Sequence, residues 1–182
     1  MSNFPDPFEH RKYSRYSTLA RPVGQPHSVV FLVGSTAISG GTFVILQHAL
    51  ALKNLGWKVT LACQMIDHGK DPWHPALGEL ELVSIEEVGD QIFDVAIATW
   101  WRTVLEIHRV NARQYVYFVQ SIESRFYGGD PILGSIVELV DETYKLDLLV
   151  ILVGKFLKRK RSSLTDIRKI QKKIPKIKRM KI

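Results

Sequence analysis

The sequence predicts an α/β fold built on a Rossmann-like, doubly wound, mostly parallel sheet. Three observations carry that expectation. Runs such as SVVFLV (28–33) and QYVYFV (114–119) are continuous, apolar and rich in β-branched or aromatic residues, as strands buried on both faces are. Segments of helical period alternate with them, and glycines stand at the first strand-to-helix junction.

Residues 1–27 mix Phe4, Phe8, Tyr13 and Tyr16 with Arg, Ser and Pro in no period and end in RPVGQP, so they read as an arm. The first strand follows at 28–33, then the loop GSTAISGG. A helix is expected over 42–56, with Phe43, Leu46, Ala49, Leu50 and Leu55 at helical spacing and Gly56 placed to stop it. WKVTLAC (57–63) predicts a second strand, and the alternating ELELVS (79–84) a half-exposed edge strand. A strand at Val95–Ala98, a short helix at Thr103–His108, the strand at 114–119, a helix within 130–146 and a last strand at 148–153 complete the series. The domain is therefore placed at 28–157, with a basic tail at 158–182.

The composition, 46% apolar and 24% charged, is that of a globular protein. Its net charge of +7 is misleading. Residues 155–182 hold 13 Lys and Arg against one acid, Asp166, which leaves 12 bases and 17 acids elsewhere. The body is mildly acidic, and the basic character belongs to the tail. That tail has no aromatic residue after Phe156, so stacking on nucleic-acid bases is unsupported. One cysteine, Cys63, allows no internal disulfide and no Cys-built zinc site. The N-terminus lacks a signal-like apolar stretch, and no apolar run approaches the roughly 18 residues of a membrane span, so a cytoplasmic place is expected.

In such a sheet ligands collect at the carboxyl ends of the strands, where the strand order reverses. Three loops qualify: GSTAISGG, TWWR (99–102) and QSIESRFYGG (120–129). Ser39, Gly40, Gly41 and Thr42 are the candidate anion loop, because glycines admit a close ligand and a helix start presents free N–H groups. The spacing is neither G-x-G-x-x-G nor a phosphate loop followed by lysine, which speaks against a nicotinamide dinucleotide or an NTPase. Thr99, Trp100, Trp101, Gln120 and Glu123 are the candidate sugar contacts. No catalytic residue is assigned. His48 reads as a packed helix residue, while His68 and His74, near Asp67 and Asp71, lack a metal-ligand spacing and no metal is expected.

Four segments carry a family resemblance. ISGGTFVILQHALALKNLGWKVTL, FDVAIATWW, YFVQSIESRFY, and ETYKL with GKFL resemble, in order, segments of bacterial retaining GT-B glycosyltransferases of the family-four-like, rhamnan-building type. The match spans about residues 28–158. Trp57 stands where that family usually has His, and Ser121 and Ser124 replace its usual Asp and Pro. The resemblance implies the acceptor-side, N-terminal domain of a two-domain enzyme that moves a sugar from a nucleotide-sugar, a substrate rather than a cofactor, to a glycan or lipid-linked acceptor. The donor-side domain would begin where this chain ends, so the fragment is expected to be inactive alone, and a disrupted reading frame near Leu157 is expected. The tail also suggests peripheral contact with anionic lipid at the inner membrane face. The alternative is a non-catalytic Rossmann-like binding module that docks through its basic tail.

Overall fold

The computed structural model describes residues 24–66, 72–128 and 133–152. The arm up to residue 23, most of the His68 loop and the tail lie outside the described residues. Six strands form one sheet: β1 (Ser28–Ser35), β2 (Lys58–Met65), β3 (Glu81–Ser84), β4 (Ile92–Ala98), β5 (Asn111–Val119) and β6 (Leu149–Leu152). All pairs are parallel, in the order β3-β2-β1-β4-β5-β6. This is the Rossmann-like arrangement, with the order reversing between β1 and β4.

The strand period of two sorts the core. On β1, Val29, Phe31 and Val33 point to one side of the sheet, while Val30 and Leu32 point to the other. The first side is covered by α1 (Gly40–Asn54) through Ile45, Leu46 and Ala49, and by α2 (Pro75–Glu79) through Ala76. The second is covered by α3 (Trp101–Glu106) through Val104, and by Tyr144 and Leu146 just beyond α4 (Gly134–Thr143). Both faces are buried, which is why β1 tolerates no polar alternation.

Local signals set the ends of α1. Ser39 is its N-cap, with Oγ accepting from the Thr42 N–H at 3.0 Å. Gly56 closes it at φ 85°: its N–H reaches the Lys53 carbonyl and the Trp57 N–H reaches that of Leu52. The helix therefore starts two residues before the expected Thr42, and both glycines lie in its first turn. Its apolar positions also divide otherwise than the spacing suggested. Leu46 and Ala49 are buried, but Phe43 is 48% exposed against the edge of His74, and Leu55 is 75% exposed at the C-cap.

The edge strand β3 occupies the expected place. Three short elements were not expected: α2, capped by His74 with Pro75 in its first turn, and 3-10 turns at Ile85–Val88 and Glu123–Phe126. The helix expected at Thr103–His108 begins at Trp101 and ends in a 3-10 turn at Ile107–Arg109.

At the amino edge of the sheet, Asp94 ties three strands together. Its Oδ2 accepts from the Ser28 N–H at 2.8 Å and its Oδ1 from Arg113 Nη1 at 2.9 Å. Asp94→Ala leaves a largely buried guanidinium and an N–H without this partner. The expected cost is about 2–4 kcal/mol, read as a lower urea midpoint with an unchanged m-value. A loss below half of one kcal/mol would deny Asp94 this role.

Candidate functional site

The carboxyl ends of β1, β4 and β5 and the start of α1 enclose a cleft of about 580 Å3 at the point of strand-order reversal. The β1–α1 side contributes Gly34, Ser35, Ser39, Gly41 and Thr42. Thr99 and Trp100 come from the end of β4, and Gln120, Ser121, Glu123 and Phe126 from the segment after β5. Met65 closes the end of β2.

Most of the residues singled out in the sequence thus share one cleft. Two do not line it. A Cβ on Gly40 would meet nothing within 4 Å, so that position faces open space. Trp101 is core, 4% exposed, with its indole N–H donating to the Tyr127 hydroxyl at 3.0 Å.

Each wall has its own chemistry. Ser39 and Thr42 hydrogen-bond each other at 2.8 Å, and no acidic residue stands in the first turn of α1. The positive end of a 15-residue helix is therefore uncompensated there by side-chain charge. Gly41 faces Gln120: a Cβ would sit 3.6 Å from its Nε2, an ordinary contact. Thr99 is structural, its hydroxyl donating to the Leu32 carbonyl at 2.8 Å. Thr103 Oγ1 accepts from the N–H groups of Thr99 and Trp100 at 3.1 and 3.0 Å, which fixes the turn into α3. The Trp100 ring lies on Gly34, where a Cβ would come within 2.6 Å of Cε3.

Glu123 forms the floor. It is 5% exposed, and Oε2 accepts from the Trp101 N–H at 2.9 Å and from the Tyr117 hydroxyl at 3.0 Å. Its own N–H donates to the Tyr144 hydroxyl at 2.9 Å. Oε1 takes no hydrogen bond among the described residues, in a side chain that lines the cleft. Burial pushes the carboxyl up to about 7, against the opposing effect of those two hydrogen bonds. Burial, then the charge of Glu123, raises the Tyr117 phenol, and burial likewise takes Tyr144 up to about 12.

Tyr117, Tyr144, Thr103 and Gly34 were not singled out in the sequence. The one legible trace is Tyr117, a residue with a polar tip inside an apolar strand. His48 and His74 lie elsewhere. His48 packs edge-on against Phe118, and burial lowers its pKa. His74 caps α2 through Nδ1 and meets Gln47 at 2.9 Å through Nε2, while His68 lies outside the described residues. The Gln47 atom at that distance is Nε2; because Nδ1 accepts an N–H, a neutral ring carries its proton on its own Nε2, and a hydrogen bond there requires the Gln47 amide in its flipped assignment, oxygen toward the ring.

Among the described residues no helix is long and apolar enough to cross a membrane. The chain matches no family model, no curated protein and no solved structure.

Proposed function

We propose that the chain is the acceptor-side half of a GT-B glycosyltransferase, and that its cleft holds a sugar against the segment following β5. The observation that carries this reading is the Glu123 floor: a buried carboxylate with one oxygen anchored and the other open to a cleft at the strand-order reversal. A carboxylate oxygen that is open to a cleft suits a ligand hydroxyl as donor. Gln120, whose amide makes no hydrogen bond among the described residues, adds a donor and an acceptor, and Trp100 supplies an aromatic face for the C–H side of a sugar ring. The resemblance of four sequence segments to family-four-like retaining enzymes supports the same reading.

Retaining transfer from a nucleotide-sugar requires a stabilised leaving diphosphate and a hydroxyl held beside it. In this half, Glu123 and Gln120 orient hydroxyls, while the first turn of α1 offers N–H groups to negative charge. A companion lobe, by the same resemblance, supplies the donor site. The basic tail would hold the enzyme at an anionic inner-membrane surface, where a lipid-linked acceptor lies.

Gly41→Trp tests the reading. The Cβ fits, but an indole beside Gln120 fills the cleft. Titration of a neutral saccharide into the full chain should show affinity falling by about ten-fold or more, with the melting temperature nearly kept because no buried polar group loses its partner. Unchanged affinity would remove the cleft as the sugar site.

A further inference from the structure

Seven Lys and Arg side chains belong to the described residues. Four stand in ion pairs: Lys53 with Glu79, Arg109 with Glu86 and Glu106, Arg113 with Asp94, and Lys145 with Glu142. Lys58, Arg102 and Arg125 have no ion pair among the described residues. Lys58 opens β2 at the amino edge of the sheet, far from the cleft. Arg102 and Arg125 stand at the carboxyl edge beside the cleft without lining it, Arg102 two residues after Trp100 and Arg125 between the cleft residues Glu123 and Phe126.

Arg102 is held on aromatic surface. Its Cζ lies 5.1 Å from the ring centroid of Trp100 and 5.2 Å from that of Trp101. Neither ring is free to drift: Trp100 rests on Gly34, and Trp101 is buried and tied to Tyr127. A guanidinium stacked on an aromatic face keeps its N–H edge available, and that planar fork matches a phosphate oxygen pair. Stacking also removes part of the side-chain entropy that a free arginine loses on gripping an anion.

We propose that Arg102 is an anion-recognition residue at the rim of the cleft, beside Trp100, gripping a phosphate or diphosphate on the ligand whose sugar the cleft holds. The inference rests on the reading of the cleft as a ligand site and adds a charge requirement to it. The same chemistry has two sources, the diphosphate of a nucleotide and the diphosphate of a lipid-linked sugar.

The test is a titration of the full chain with inorganic pyrophosphate at low ionic strength, followed by indole fluorescence. Residues 155–182 hold no tryptophan, so anions gathered by the basic tail leave that signal unchanged. Arg102→Gln should weaken binding by about ten-fold or more, and Arg102→Lys should recover only part of it, because an ammonium lacks the fork. Lys58→Gln should bind as the parent does. Parallel titrations with uridine diphosphate and with geranyl diphosphate identify the source by which of the two gains affinity over pyrophosphate. Equal pyrophosphate affinity in the parent and Arg102→Gln overturns the proposal, as does a parent that shows no response. A neutral saccharide separates the two readings: if it binds while pyrophosphate affinity is unchanged in Arg102→Gln, the anion role alone fails, and if neither ligand binds the parent, the cleft reading fails as well.

Discussion

Glu123→Ala is expected to lower the unfolding free energy by about 3–5 kcal/mol, because it strands two buried donors and opens a cavity beneath the cleft. The Trp101 N–H and the Tyr117 hydroxyl both end on Oε2. Glu123→Gln should behave differently. An amide oxygen accepts the same two bonds, so the turn into α3 survives while the charge is gone. The carboxyl titrates near 4.5 in an unfolded chain and at about 7 in the fold, so between those values the folded state holds a proton that the unfolded state has released. The stability linked to that proton is complete below pH 4.5 and lost as the pH rises to about 7. The loss amounts to about 3 kcal/mol from this group. Above pH 7 the glutamine variant should therefore be the more stable protein, and the gap should close toward pH 4.5. Urea unfolding of both proteins from pH 4.5 to 8.5 measures it, and a gap that does not vary with pH would show that burial does not raise this carboxyl.

The same pH range governs the site. Below about 7 the carboxyl is protonated and presents Oε1 as part of a neutral acid; above it, the open oxygen is an anionic acceptor for a hydroxyl. Ligand affinity and stability are thus expected to move in opposite directions with pH at this one residue. A strained charge kept at a cleft floor is how stability yields to function at many sites.

The framework of this fold was legible because its strands are buried on both faces. Such strands read as apolar runs whatever their neighbours, and SVVFLV (28–33) could be little else. The edge strand β3 showed its half exposure as alternation. The five-residue α2 carries no period, and what holds it is tertiary: Gln47 on His74, and the Trp73 indole on the Thr36 carbonyl at 2.8 Å. Phe43 and Leu55 were misplaced for a related reason, since α1 is apolar on most of its circumference and spacing alone does not choose its buried side. For the site, the position of the cleft followed from the loops, but its wiring did not. Glu123 meets Tyr117 six residues away and Trp101 twenty-two away only because β4 and β5 are neighbours, and nothing in the intervening residues marks that meeting.

Gly34→Ala is expected to cost about 1–3 kcal/mol and to narrow the cleft, since an added methyl there makes the shortest approach of any described glycine. The backbone at Gly34 does not occupy the left-handed region, so the argument rests on space alone. The added Cβ would lie 2.6 Å from Cε3 and 3.0 Å from Cζ3 of Trp100, both in the rigid ring rather than at the end of a flexible chain. The ring must swing outward, and since Trp100 lines the cleft, the displacement enters the space a ligand would use. It also withdraws the surface on which Arg102 stacks, so saccharide and pyrophosphate affinity should fall together. For a domain of this size the melting temperature should drop by about 3–10 °C. Trp100→Ala removes the clash, so the double variant should be less destabilised than the two single effects combined, by at least about 1 kcal/mol. Strict additivity in that cycle would mean that the glycine and the indole do not share the space assigned to them, and the cleft wall would have to be drawn differently.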